Sequence, residues 1–206
     1  MLENVKFVSI IREVAADDVL LIMDALREEG VRWFEISLSD GENGMECICR
    51  ALKHFRDTDV QVGAGTVTKT GEIDVLSQWG IPYILTPGFD REIVQYAAGK
   101  GIEVLPGVLT PSEVQEAVNC GIHLLKLFPA DAFGKGYIKA LKGPFPQTDY
   151  VAVGGVTAEN AAEFYRAGFK GVAAGSNLVP KHAGKDNIAD IRKTARRYME
   201  AAGYGK

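Results

Sequence analysis

Eight times along the chain a short apolar run rich in β-branched residues gives way to an amphipathic segment, and this alternation restricts the fold more than any other feature. The strand-like runs are residues 5–11, 33–39, 61–67, 83–89, 103–109, 123–130, 150–156 and 171–178. The helix-like segments are 16–29, the stretch up to 55, 71–79, 90–100, 111–120, 133–142, 158–167 and 187–202. Gly30, Gly80, Gly101, Gly121 and Gly168 each fall just after a helix-like segment, where a left-handed residue usually closes a helix. Alternating units with short connections require a parallel sheet, and eight of them predict an α/β fold of the closed (β/α)8 TIM-barrel type, one domain over residues 1–206. The alternative is an open doubly wound sheet. It is disfavoured because no strand-like run opens into a glycine-rich dinucleotide fingerprint and no reversal of organisation appears halfway along. The last residues, Gly-Tyr-Gly-Lys, are expected to fray.

A chain of 206 residues, 47% of them hydrophobic, can bury a sizeable core. Its net charge of −4, with basic residues scattered among acids, offers no face for nucleic acid. Apolar runs stop well short of the length that spans a bilayer, and Met1 to Lys6 lead straight into the first strand-like run, so a cytoplasmic protein without a membrane partner is expected. Cys47, Cys49 and Cys120 lack paired metal-ligand spacing. His54, His123 and His182 are far apart and come without neighbouring carboxylates, so neither a disulfide framework nor a metal centre is expected.

Two charges stand where the pattern does not want them. In His-Leu-Leu-Lys-Leu-Phe-Pro-Ala, strand alternation puts Leu124, Lys126 and Phe128 on one face and Leu125 and Leu127 on the other, so Lys126 points into protein. Burial disfavours an ammonium, lowers its pKa and yields a neutral amine able to attack a carbonyl. The plainer alternative is a lysine that snorkels to water or pairs with a carboxylate. Glu35, in Trp-Phe-Glu-Ile-Ser, is equally out of place, and a buried carboxylate is expected to find a partner. The two are either a structural ion pair or an acid/base beside an amine nucleophile.

In such a barrel the active site lies at the C-terminal strand ends, and a phosphate often sits after the seventh and eighth strands. Those ends supply Arg12, Glu35 with Ser37, Thr66, Pro87, Val108 with Thr110, Lys126 with Phe128, Gly154-Gly155 and Gly175-Ser176. The planar fork of Arg12 suits a carboxylate. Thr66, ending Gly63-Ala64-Gly65-Thr66, offers a hydroxyl, although the glycines there also fit a packing role in the barrel interior. Glycine turns let backbone N–H groups approach an anion, and Thr157 is placed to cap the helix after Gly154-Gly155.

These residues resemble one family. Ile10-Ile11-Arg12, Glu35-Ile36, Val62-Gly63-Ala64-Gly65-Thr66-Val67, Thr86-Pro87, Leu105-Pro106-Gly107, Leu125-Lys126-Leu127-Phe128-Pro129-Ala130, Val153-Gly154-Gly155-Val156 and Ala174-Gly175-Ser176 are similar to the class I pyruvate-dependent aldolases of the 2-keto-3-deoxy-6-phosphogluconate (KDPG) and 2-keto-4-hydroxyglutarate (KHG) type, including the 2-keto-3-deoxy-6-phosphogalactonate branch. The resemblance makes Lys126 the Schiff-base lysine and Glu35 the general acid/base. It sets Arg12 and Thr66 near the substrate carboxylate, Pro87 and Phe128 around pyruvate, and Gly154, Gly155, Gly175 and Ser176 at the phosphate. It further implies no metal or other cofactor, and a homotrimer. Two positions depart from the phosphogluconate type. Ser39 stands where some members carry arginine, leaving the cation to Arg12. Val153 stands where many carry threonine before Gly-Gly, as in the phosphogalactonate type.

The expected function is cleavage of a 2-keto-3-deoxy-6-phospho sugar acid, in either C4 epimer, to pyruvate and glyceraldehyde 3-phosphate, with 4-hydroxy-2-oxoglutarate as a further candidate substrate. The rival enzyme reading is a sugar-phosphate isomerase or epimerase using Glu35 as a base without covalent chemistry. A non-catalytic module, with Lys126 and Glu35 merely ionic, is the third. The fold alone does not choose among them.

Overall fold

A computed structural model describes residues 1–203, so the fraying expected of the tail falls, beyond Gly203, outside the described residues. Nine strands run parallel: β1 (Phe7–Ile11), β2 (Trp33–Ser37), β3 (Gln61–Gly65), β4 (Tyr83–Leu85), β5 (Glu103–Leu105), β6 (Gly107–Val108), β7 (Leu124–Leu127), β8 (Asp149–Val153) and β9 (Gly171–Ala174). Their order is β5-β4-β3-β2-β1-β9-β8-β7-β6. The two ends of that order, β5 and β6, are consecutive in the chain with Pro106 between them. The sheet therefore closes into a barrel of eight staves, the fifth broken where proline has no N–H for the ladder. Pro106 still contributes, because its carbonyl accepts the Lys126 N–H at 2.9 Å.

Helices α1 (Val19–Glu28), α2 (Gly41–His54), α3 (Thr70–Gln78), α4 (Arg91–Gly99), α5 (Pro111–Asn119), α6 (Tyr137–Lys142), α7 (Ala161–Ala167) and α8 (Ile188–Ala201) follow the staves in turn. All five glycines expected to close helices have φ between 75° and 104°. Several elements are shorter than the sequence pattern predicts. The second strand ends at Ser37 in a 3-10 turn over Leu38–Asp40, and the fourth ends at Leu85. Gly134 and Gly136 delay α6 to Tyr137 and leave Phe133 63% exposed in the preceding loop. Thr157 does not cap α7. Its hydroxyl accepts the Asn160 N–H at 3.3 Å, forming a turn, and α7 begins after Asn160.

Strand alternation creates two apolar layers. Residues such as Ile11, Phe34, Ile36, Leu125 and Ala152 face the helices, whereas Val8, Ile10, Tyr83, Leu85, Leu105, Val151, Val153 and Ala173 fill the barrel interior. Tyr83 on β4 lies over β3 and donates its hydroxyl to the Phe34 carbonyl of β2 at 2.8 Å. A Cβ at Gly63 would lie 2.2 Å from that ring, so this glycine has the packing role.

Candidate active site

Glu35 and Lys126 are the charged side chains that are buried among the described residues, 1% and 5% exposed. Glu35 sits on β2 in register with Ile10 of β1 and Gly63 of β3, and Lys126 on β7 in register with Gly107 and Val151. In the ring, β2 and β7 lie opposite each other, so the two side chains approach through the interior rather than along a strand pair. No hydrogen bond or ion pair joins them among the described residues, and Glu35 Oε2 is buried without a hydrogen-bond partner. The partner expected for the carboxylate is thus not found at this oxygen, and Lys126 faces it from the far wall. What couples the pair is their field. Burial pushes the Lys126 ammonium below its usual range, with the Glu35 charge pulling back and Arg12 adding to the depression. Burial pushes the Glu35 carboxyl up against the opposing pull of Lys126 and Arg12. Lys126 Nζ also lies 5.1 Å from the centre of the Phe128 ring.

Glycine makes room for this arrangement. A Cβ on Gly65 would stand 1.8 Å from Glu35 Oε1, so β3 must lack a side chain where the carboxyl lies. Above Glu35, Thr66 occupies the left-handed region at φ 61°, a costly conformation for a β-branched residue. Its hydroxyl is hydrogen-bonded to that of Ser37 at 3.0 Å, and Ser37 in turn to Ser39 at 2.9 Å.

A cavity of about 180 Å³ opens at the mouth of the barrel, and on its lining meet Arg12, Phe128, Val153, Gly154, Gly155, Gly175 and Ser176, all of them anticipated from the sequence. Gly154 and Gly155 have φ 91° and 70°. The N–H groups of Gly155 and Ser176 donate no hydrogen bond among the described residues, which leaves them for an anion. Lys126 lies one inward-facing position deeper than Phe128. Glu35 and Thr66 belong to the opposite wall, and Pro87 is exposed off this lining, its carbonyl closing on Gly107. Two polar lining residues were not anticipated, Asn177 and Lys181. Both lie in a polar loop after the eighth stave, where nothing in the pattern separates them from ordinary solvated residues. The Asn177 amide donates to the Val156 carbonyl at 2.9 Å and ties the loops after β8 and β9 together.

The family model for KDPG and KHG aldolase matches residues 1–194. The chain belongs to the KDPG and KHG aldolase family. It is therefore a lyase. Its sequence is 37% identical over 172 residues to the 2-dehydro-3-deoxy-6-phosphogalactonate aldolase of Escherichia coli (strain K12), a match covering 83% of each chain. Among solved structures, a native KDPGal structure superposes with a TM-score of 0.87 at 34% identity, covering 95% of this chain and 93% of the other. The KDPG aldolase of Legionella pneumophila, with pyruvate captured at low pH as a covalent carbinolamine intermediate, superposes at 0.82 with 25% identity over 100% of this chain and 96% of that one. The aldolase thus has the closed barrel expected from its eight repeats, and the open-sheet alternative is excluded.

Proposed function

We propose that this aldolase is a class I, Schiff-base enzyme that cleaves 2-keto-3-deoxy-6-phosphogluconate or its C4 epimer, the phosphogalactonate, to pyruvate and glyceraldehyde 3-phosphate. The observation that carries the reading is the Lys126 and Glu35 pair: both buried, facing each other from opposite walls, and held without a direct ion pair, so that the amine is free to react. The carbinolamine captured with pyruvate in the Legionella relative supports the covalent route.

Neutral Lys126 attacks the C2 carbonyl carbon, and Glu35 delivers the proton that lets the carbinolamine lose water. The iminium then draws the C3–C4 bonding electrons toward nitrogen while Glu35, directly or through a water, takes the C4 hydroxyl proton. Glyceraldehyde 3-phosphate departs and leaves an enamine. Protonation of the enamine at C3 and return of a water to the iminium carbon free pyruvate and the lysine. The iminium is the electron sink, so the reaction needs no cofactor. Arg12 and Thr66 are assigned to the substrate carboxylate, Phe128 and Pro87 to the walls around pyruvate, and Gly154, Gly155, Gly175 and Ser176 to the phosphate. 4-Hydroxy-2-oxoglutarate, cleaved to pyruvate and glyoxylate, follows the same steps. The family resemblance supports a homotrimer, and the lack of a helix long and apolar enough to cross a membrane among the described residues agrees with action in the cytoplasm.

Incubation with pyruvate and borohydride tests the covalent step. One reduced pyruvyl group is expected on the peptide containing Lys126, and Lys126→Met should fold, take up no label and lose activity. Label on Lys139 or Lys142 would mean a different lysine reacts. No label at all would return the site to non-covalent isomerase chemistry.

A further inference from the structure

We propose that Lys181 binds the substrate phosphate and supplies the full positive charge that the two glycine turns lack; the proposal rests on the phosphorylated substrate assigned above. The charged side chains on the cavity lining are Arg12 and Lys181; two carboxylates border it, Glu13 paired with Lys181 at the rim and Asp131 packed against Gly155, where an added Cβ would stand 2.3 Å from its carboxyl. A phospho sugar acid brings one carboxylate and a phosphate monoester carrying roughly −1.5 to −2 charge at neutral pH. With Arg12 assigned to the carboxylate, the N–H groups of Gly155 and Ser176 meet the phosphate only as dipoles. A lysine is the point charge that completes such a site.

The rim is built to hold this lysine in place. Lys181 Nζ lies 2.7 Å from Glu13 Oε1. Glu13 has φ 54°, in the left-handed region that glycine adopts freely and a glutamate only at a cost. Its carbonyl accepts the His182 N–H at 2.7 Å, and His182 itself has φ 57°. The loop that carries Arg12 is in this way clasped to the loop that carries Lys181. Glycine would satisfy the backbone at residue 13 without strain, so the position uses its side chain, and that side chain holds the ammonium at the cavity edge. An ammonium has three donors, so one can remain on Glu13 while another turns to the phosphate.

The test compares wild type, Lys181→Met and Lys181→Arg in steady-state cleavage of both phosphorylated epimers and in exchange of the pyruvate C3 protons for deuterium. Lys181→Met should raise KM about tenfold. The loss should fall on KM rather than kcat, and pyruvate exchange should persist, because pyruvate carries no phosphate. Lys181→Arg should recover most of the affinity, and inhibition by inorganic phosphate should weaken in Lys181→Met by the same factor as KM rises. The gap between wild type and Lys181→Met should narrow as salt is added. An unchanged KM overturns the proposal. So does an equal fall in pyruvate exchange, which would make Lys181 part of the loop clasp and not a phosphate ligand. A wild type that cleaves substrate yet exchanges no pyruvate protons defeats the covalent reading instead, and the KM comparison still decides Lys181.

Discussion

The deep layer of the barrel and its mouth handle charge in opposite ways. In the deep layer, two buried ionisable side chains face each other, and their protonation is shifted by burial, by one another and by Arg12. At the mouth, the cavity proposed to take the phosphate consists of backbone turns and exposed side chains, with Phe128 39% exposed and Arg12, Gly155 and Ser176 open to solvent. Chemistry that needs shifted pKa values requires a dry interior, whereas recognition of a strongly hydrated phosphate works at a wet rim with fixed dipoles. Changes in the deep layer should therefore act on turnover by orders of magnitude, and changes at the mouth on affinity or selectivity by smaller factors.

Glu35→Gln offers the largest departure in which the nucleophile survives. General acid–base catalysis contributes roughly 10²- to 10⁴-fold, so turnover should fall on that scale with a smaller change in KM. A second readout separates proton transfer from mere packing. The Glu35 charge raises the Lys126 pKa, so its removal should lower that pKa further and move the acid limb of pyruvate trapping at Lys126 to lower pH. Turnover that is untouched, or a limb that moves to higher pH, would show that the pair is not coupled as the geometry indicates.

The deep layer was also the more legible part of the sequence. Lys126 and Glu35 each interrupt an apolar strand, and strand alternation alone turns them inward, so their burial follows from neighbours two residues away. The eight staves were legible for the same reason. The break at Pro106 was less so, because a proline inside an apolar run reads as part of it until the pairing of β5 and β6 with different neighbours is known. At the mouth, the glycines at 154, 155 and 175 gave a signal, but Asn177 and Lys181 did not. Polar loop residues carry no periodicity, and only the closure of the ring brings the loops after β1, β8 and β9 around one cavity. The missing partner of Glu35 Oε2 was hidden as well, since whether two opposite charges touch depends on the width of the barrel, which no local pattern records.

Gly65→Ala probes the space the deep layer needs. The added Cβ would collide with the Glu35 carboxyl, and overpacking of this kind costs about 1–3 kcal/mol. Thermal melts should show that loss together with reduced turnover as the carboxyl is displaced. Gly71→Ala in α3 is the matched control, because a Cβ there meets nothing within 4 Å. It should be neutral or stabilising, by up to roughly 1 kcal/mol. Equal behaviour of the two variants would mean that Glu35 has room to move and that β3 does not fix its position.

The smallest effect is expected where the two layers meet, at Val153. This residue belongs to the apolar interior through its pairing with Ala173 on β9, yet it also lines the cavity directly below the Gly154-Gly155 turn. A site built to bond a hydroxyl discriminates between C4 epimers strongly, while an apolar wall does so weakly. The wild type should therefore accept the phosphogalactonate epimer at least as well as the phosphogluconate one. Val153→Thr keeps the shape and adds one hydroxyl facing the substrate diol, which should shift the ratio of kcat/KM values toward the gluconate epimer. One neutral hydrogen bond is worth about 0.5–1.5 kcal/mol, so the shift should lie between about twofold and twelvefold, well below the effect of any change to Glu35. Both ratios need measuring under one set of conditions. An unchanged ratio, or a wild type already strongly selective for the gluconate epimer, would place selectivity elsewhere at the mouth. Thr110 is then a poor candidate, because its hydroxyl is committed to Glu113 at the start of α5. Ser39 is the better one: exposed, and joined through Ser37 to Thr66, it gives a hydroxyl chain from the rim to Thr66.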